Sequence, residues 1–406
     1  MASRLVARRV LRRLGDGARD TRSGHPPGPL VPHRAMMSSD ATPRVVPKTY
    51  GTAPSHGTPE ALAVGAAAER IVLPDVCEHL RTRGYAVVDG ALGDDLARTL
   101  RDELRSLVDT PGAMRPNATV LVQRDATVQL EKSGIFEAEV HALGEDALAT
   151  IPTFRALAED RSMLTLLNVM LPPPSPPRQL HHQSVKLQLN RGRGGCFPLH
   201  FDSDAALDGR RVTALTYLNP DWTPGDGGEL VLYPFPDAPV KVEPVMGRVV
   251  LFSAANMLHR VLPSAKPRLC FTTWFFAKSP ETPGDARSPG TAAGSSSPGT
   301  GTGTGTSSVD EDAAALEEAR ALLRPDMRKH LMRVVHAEEW AASIEAAHPD
   351  TPARAEALAT HWKEVDVIAR ALAGRFPRGL ARVAEASTGG ASDARARETL
   401  GVEWFE

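Results

Sequence analysis

In the segment Phe197-Pro198-Leu199-His200-Phe201-Asp202, a histidine and an aspartate stand two residues apart within a β-rich stretch. Residues i and i+2 of a strand face the same way, so this imidazole and carboxylate project from one strand face as two side chains of metal-ligand type. A third ligand has to arrive from elsewhere, and His259 can supply it. Two histidines and one carboxylate on one octahedral face leave the other positions open, which is the arrangement that activates dioxygen at Fe(II). A His-x-Asp triplet by itself is a weak signal, because surface strands carry such triplets without any metal. Arg268 strengthens it. It lies in the strand-like run Arg268 to Phe276, downstream of His259. A guanidinium turned toward the same pocket pairs a carboxylate bidentately, which suits the far end of a dicarboxylic keto acid. With Lys266 and Pro267 beside it, a plain surface arginine is the alternative.

Several elements must position these groups. Helical signals run from Pro74 to Arg81 with a stop at Gly84, and Tyr85-Ala86-Val87-Val88 reads as a short buried strand. Asp94 is a suitable N-cap. Leu96, Leu100, Leu104 and Leu107 follow at helical spacing, giving an amphipathic helix. After Gln183 the texture becomes short β-rich runs: Val185 to Leu189, Val212 to Leu218, Glu229 to Tyr233, Val249 to Phe252 and Leu269 to Phe276. Gly192-Arg193-Gly194-Gly195 reads as a flexible loop before the strand that carries His200. It is no dinucleotide fingerprint, since no helix signal follows. From Asp310 to about Arg375 the helical pattern returns through Leu316, Leu322, Leu323, Met327, Leu331 and Val334, divided by Pro325 and Pro349. His181, His182, His330, His336, His348 and His361 show no convincing ligand pairing, and solvated positions are expected for most of them.

The 47 Lys+Arg nearly balance 49 Asp+Glu, a formal charge of −2, so no global basic field points to nucleic acid or an anionic membrane surface. The three cysteines, Cys77, Cys196 and Cys270, are far apart, which argues against a disulfide framework or a thiolate zinc site and for a reducing compartment. No apolar run is long enough for a transmembrane helix. Between Met1 and Leu14, arginines at 4, 8, 9, 12 and 13 alternate with a Val6/Val10/Leu14 stripe and no acid intervenes. That amphipathic pattern suits a mitochondrial or plastid presequence, and a disordered basic tail is the equal alternative. A soluble intracellular protein is expected, cytoplasmic if the presequence reading fails. Residues 15 to 58 are rich in Gly, Pro, Ser and Arg, and Pro172 to Pro177 reads as a stiff connector. The segment from Ser279 to Ser308, with its Gly-Thr repeat, is flexible by composition and lacks the Gly-Lys-Ser/Thr of a phosphate loop.

From about Gln183 to Lys278 the chain resembles the 2-oxoglutarate dioxygenases of the prolyl-hydroxylase type, notably those acting on oxygen-sensing transcription factors. The resemblance is carried in order and spacing by His200-Phe201-Asp202, Val212 through Leu218 to Trp222, and Gly227-Gly228-Glu229-Leu230. It continues through Arg248 to Phe252, His259 to Pro263, and Arg268 through Thr272 to Trp274. It implies an α+β protein: a double-stranded β-helix (jelly-roll) core with N-terminal supporting helices and a helical C-terminal region. It also implies that His200, Asp202 and His259 bind Fe(II), that Arg268 binds the far carboxylate of 2-oxoglutarate, and that Tyr217 shares that carboxylate, a core aromatic being the rival reading. Thr272 falls where the family lines the co-substrate pocket, and L-ascorbate is implied as reductant. Asn190 departs from the pattern, since it stands where relatives commonly have a tyrosine at the pocket mouth.

The boundaries expected are a presequence and linker over 1–58, a dioxygenase unit over 59–278 with its catalytic core over 183–278, a linker over 279–309 and a helical region over 310–406. Three functions stay open. One is hydroxylation of a prolyl residue in a protein, with dioxygen and 2-oxoglutarate consumed and succinate and carbon dioxide released. The others are hydroxylation of a small metabolite by the same chemistry, and a catalytically silent metal-binding scaffold. The carboxylate at Asp202 favours hydroxylation over halogenation, because a small residue there would leave a metal position for halide.

Overall fold

Turn and cap residues fix where each element begins and ends. The computed structural model describes residues 37–38, 57–122, 127–171, 179–203, 209–277, 308–388 and 400–405. The expected presequence, the Pro172–Pro177 connector and the Gly-Thr repeat lie outside these residues. After β1 (Met37–Ser38), helix α1 (Pro59–Ile71) starts at Thr58, whose side chain accepts a hydrogen bond from the Ala61 N–H at 3.2 Å. Helix α2 (Pro74–Arg83) ends on Gly84, which is left-handed at φ 77° and leads directly into β2 (Tyr85–Val88). In α3 (Asp94–Asp109) the cap position is Gly93, and Asp94, expected as the cap, is instead the first helical residue, where its charge meets the positive end of the helix dipole. The leucines at 96, 100, 104 and 107 are buried together, as their spacing requires.

Two long strands, β3 (Arg115–Val122) and β4 (Thr127–Glu139), were not expected from the sequence. Their buried positions include Asn117, Thr119, Lys132 and Glu137, which erases the alternation of apolar and polar residues that marks a half-buried strand. Lys132 donates to Asn117 and Thr119, and Glu137 pairs with Lys186 at 3.1 Å, so this polar interior is satisfied by its own hydrogen bonds and ion pairs. Three short helices follow, α4 (Glu145–Ala149), α5 (Pro152–Glu159) and α6 (Ser162–Met170). The chain then runs through β5 (Leu180–Asn190), β6 (Gly195–His200), β7 (Arg210–Tyr217), β8 (Leu230–Tyr233), β9 (Val240–Val242), β10 (Val249–Ser253), β11 (Leu258–Ser264) and β12 (Arg268–Ala277). Five helices close it: α7 (Ser308–Leu323), α8 (Pro325–Val335), α9 (Ala337–Ala347), α10 (Pro352–Arg375) and α11 (Pro377–Thr388).

The strands form two antiparallel sheets, an eight-stranded one in the order β1-β3-β4-β5-β12-β7-β10-β2 and a four-stranded one in the order β6-β11-β8-β9. This mixed helix and sheet architecture is compatible with the expected jelly roll. Period-two alternation sorts the core into three layers. Leu187, Leu189, Val212, Ala214, Leu269 and Phe271 face outward from the large sheet onto the N-terminal helices. Leu215, Tyr217, Val250 and Phe252 face inward, meeting Leu230, Leu232 and Val261 of the small sheet. On the outer face of the small sheet, Leu199, Val231 and Leu258 pack against Leu331, Trp340 and Ile344 of the C-terminal helices. Each such side chain contributes about 1.5–3 kcal/mol when fully buried. Two histidines expected in solvent belong to this last layer: His348 and His361 are buried, held by the carbonyls of Glu131 and Ala337. They follow α9 and lie within α10, on surfaces that packing against the strands and neighbouring helices removes from water.

Candidate active site

His200 ends β6 and His259 is the second residue of β11, and these two strands pair so that the two histidines are directly opposite each other. Opposed residues in an antiparallel pair bring their Cβ atoms within about 4.5–5.5 Å of each other. The rings accordingly lie 4.3 Å apart between centroids. Asp202, just past the end of β6, points to the same spot: its Oδ1 is 3.5 Å from His200 Nε2 and 3.6 Å from His259 Nε2. Each Nδ1 is 2.8–3.0 Å from a backbone carbonyl, of Pro198 for His200 and of Met257 for His259. A carbonyl only accepts, so each Nδ1 carries the proton and each Nε2 lone pair faces the centre. Three ligand atoms within 4.8 Å of one another make a group able to hold one metal ion.

Electrostatics agree with that use. Burial, then the neighbouring His259, pushes the His200 imidazole down and keeps it a neutral donor. Burial would raise Asp202, yet the two histidines outweigh it and hold its carboxyl well below the usual carboxylate range. Its second oxygen accepts from Thr213 Oγ1 at 2.7 Å and from Trp274 Nε1 at 3.1 Å, which leaves Oδ1 free for the centre. Thr213 and Trp274 are register partners across the β7–β12 pair, so the large sheet orients a carboxylate that belongs to the small one. Neither was singled out for this role from the sequence. The signal that could have found them is the strand period counted from Tyr217 and from Arg268.

Arg268 begins β12, and Cys270, Thr272 and Trp274 share its face of that strand. All four are buried, so the arginine expected to turn into the site does so. Its Nη1 donates to Cys270 Sγ at 3.2 Å, and the guanidinium carbon is 4.9 Å from the centre of the Tyr217 ring. Arg268 Nε and Nη2 and the Tyr217 hydroxyl are buried without a hydrogen-bond partner. An unpaired donor in the interior costs about 1–3 kcal/mol, more when charged, so three together describe a cradle suited to an anion. Burial pushes Tyr217 up to about 12, which keeps its O–H a donor at neutral pH. The donor set fits a carboxylate, with room for bidentate pairing to the guanidinium and a third bond from the phenol.

Asn190 stands opposite Arg268 in the strand register. It is buried, donates to the Gly195 carbonyl at 2.8 Å and accepts from the Gly192 N–H at 2.9 Å, pinning the loop expected to be flexible. That loop takes φ 78°, 58° and 90° at Gly192, Arg193 and Gly194, and a Cβ on Gly192 would come within 2.8 Å of the Ala265 carbonyl oxygen. On the large sheet, flat groups stack on one another from Asp202 outward along β12. Arg210 donates to the Asp202 carbonyl and stacks 4.5 Å from the Trp274 ring, and His182 stacks 4.2 Å from the Phe276 ring.

A family model described as the 2OG-Fe(II) oxygenase superfamily matches residues 186–276. Among curated proteins, the chain is 26% identical to Egl nine homolog 1 of Rattus norvegicus over 223 residues, 51% of this chain and 59% of that protein. It is 26% identical to Egl nine homolog 1 of Homo sapiens over 210 residues, 51% of this chain and 47% of that one, so it spans about half the length of these relatives. Among solved structures, a prolyl 4-hydroxylase from Phytophthora capsici is 30% identical, covers 82% of this chain and 98% of its own, and superposes with a TM-score of 0.58.

Proposed function

Because the chain belongs to the 2OG-Fe(II) oxygenases of the prolyl-hydroxylase type, we propose that it hydroxylates a prolyl residue of a peptide or protein, consuming dioxygen and 2-oxoglutarate and releasing succinate and carbon dioxide. The observation that carries this reading is the pairing of the His200-Asp202-His259 group with unpartnered buried donors on Arg268 and Tyr217 in the facing sheet. Fe(II) would be held by His200 Nε2, Asp202 Oδ1 and His259 Nε2, and the bound iron supplies dioxygen activation. Arg268 and Tyr217 would grip the far carboxylate of 2-oxoglutarate, and Thr272 would line its pocket. Thr213 and Trp274 keep Asp202 from rotating, so one carboxylate oxygen stays on the iron side. The hydrophobic layer between the sheets, with Leu215, Val250 and Phe252, keeps water from competing for the guanidinium.

In the same reading the core is a double-stranded β-helix. Supporting it, strands β5 to β12 distribute over both sheets, with β5, β7, β10 and β12 in the large one and β6, β8, β9 and β11 in the small one. Residues 59–278 form the oxygenase unit and 310–406 the helical unit, joined through 279–309. L-Ascorbate serves as reductant, and residues 1–14 serve as an import presequence. A prolyl substrate is favoured by the identity with the Phytophthora capsici prolyl 4-hydroxylase along nearly all of that protein.

The test is succinate formation by purified protein with Fe(II), ascorbate and air, with and without proline-containing peptides. The intact protein should release succinate slowly alone and faster with a matching peptide. His200→Ala should abolish release, and Arg268→Ala should need far more 2-oxoglutarate. Stimulation by a small metabolite but by no peptide would replace the prolyl substrate. No iron-dependent succinate from a folded, metal-loaded protein would reject the enzymatic reading.

A further inference from the structure

The ligand-bearing segment 199–203 alternates its neighbours as a strand does. His200 and Asp202 turn into the site, while Leu199 and Phe201 turn away from it. What they meet is the C-terminal helical layer, beyond the residues matched by the family model. Strand β6 is an edge of the small sheet, paired with β11 on one side only. An edge strand leaves backbone N–H groups without a strand partner, and buried ones need another acceptor. The Leu199 N–H finds it in Ser343 of α9, donating to Oγ at 3.0 Å. Ser343 is wholly buried and donates in turn to the Trp340 carbonyl at 2.7 Å, so its hydroxyl has one orientation.

The same helices reach the rest of the segment. The Trp340 ring lies 6.4 Å from the Phe201 ring, and Lys329 Nζ is 5.7 Å above that ring and 3.4 Å from the Ser203 carbonyl. On β11 the residue after His259 is also held: Arg260 donates to Glu339 of α9 at 3.3 Å, and Tyr233 donates to the same carboxylate. All three members of the metal group are thus next to a residue fixed by α8 or α9.

We infer that the C-terminal helices are part of the metal site, with Ser343 a positioning residue that sets the placement of His200 through the backbone of Leu199. The inference rests on His200, Asp202 and His259 being the metal ligands. It gives α8 and α9 a role in metal affinity as well as in stability. Removing the Ser343 hydroxyl leaves a buried N–H unpaired one residue before a ligand, and the strand relieves it by moving. Groups that orient metal ligands typically change affinity 10–100-fold, so a change of about tenfold is expected for one acting through the backbone.

The experiment measures the dissociation constant of the full chain for Mn(II) from the free-ion signal in electron paramagnetic resonance, together with thermal stability. Ser343→Ala should bind Mn(II) about tenfold more weakly, and Ser343→Thr, which keeps the hydroxyl, should restore binding. Ile344→Ala is the control, because Ile344 is buried in the same helix and touches the layer by packing alone. It should lower the melting temperature and leave Mn(II) affinity unchanged. Unchanged affinity in Ser343→Ala, or equal weakening in Ile344→Ala, overturns the inference. Should Ser343→Ala fail to fold, Lys329→Met decides: weaker binding supports the inference and unchanged binding overturns it. Failure of the unaltered protein to bind Mn(II) would reject the metal site itself, a result distinct from any pattern among the variants.

Discussion

Removing one oxygen atom from Tyr217 should move two properties of the protein in opposite directions. The ring is fully buried beside Arg268, and its hydroxyl hydrogen has no acceptor within the protein, since a guanidinium only donates. Such a group costs about 1–3 kcal/mol when nothing accepts its hydrogen. Tyr217→Phe keeps the ring against Arg268 and relieves part of that cost, so the ligand-free protein should gain about 1 kcal/mol, or roughly 2–4 °C in melting temperature for a domain of this size. The same hydroxyl, held neutral by a pKa near 12, would donate to the 2-oxoglutarate carboxylate. A hydrogen bond to a charged group contributes about 1.5–3 kcal/mol, so losing it should weaken 2-oxoglutarate binding about tenfold or more. The assay is a melting scan of the metal-free, ligand-free protein and an anaerobic 2-oxoglutarate titration with Mn(II) present, for both proteins. A lower melting temperature in ligand-free Tyr217→Phe, or an unchanged 2-oxoglutarate dissociation constant, would refute the reasoning that this hydroxyl waits for an anion.

Other outcomes are specified by the same structure. Cys270 Sγ accepts from Arg268 Nη1 and donates to Gln188 Oε1 at 3.4 Å, so Gln188→Leu should loosen the guanidinium and raise the KM for 2-oxoglutarate about threefold with kcat little changed. Gly84 is left-handed and a Cβ there would come within 2.2 Å of the Trp404 ring, so Gly84→Ala should cost about 1–3 kcal/mol in urea unfolding. Burial, then the charge of Arg333, lowers His361 to about 4 from an ordinary 6.5. Between those values the unfolded chain binds a proton that the folded one does not, so stability is full above pH 6.5 and falls as pH drops toward 4. His361→Gln keeps a donor for the Ala337 carbonyl, and denaturant midpoints measured from pH 7 to 4.5 should fall less steeply in it than in the unaltered protein.

Local chemistry was written plainly in the sequence. His200-x-Asp202 declares two side chains of metal-ligand type turned to one side because extended side chains repeat every second residue, and the leucines of α3 declare a buried stripe because helix positions recur at three and four. The β-rich runs from Val185 to Phe276 fall on the strands β5, β7, β8, β10 and β12, overrunning them only at Leu218 and Glu229, since each is dominated by residues that fill a pleated, buried surface. What the sequence could not state is distance between elements. That His259 faces His200 follows from strand register, and that Thr213 and Trp274 hold Asp202 follows from two sheets closing on each other. That Asn190 holds the loop of residues 192–195 follows from hydrogen bonds to Gly192 and Gly195 that only the folded loop brings within reach. The β3–β4 hairpin was illegible because its buried lysine, glutamate and asparagine are satisfied across strands, by one another, by Thr119 and Arg115 and by Lys186 of β5. His348 and His361 looked like solvent residues for a related reason: a polar side chain can be buried wherever a distant backbone carbonyl accepts its hydrogen, and only tertiary packing brings that carbonyl within reach.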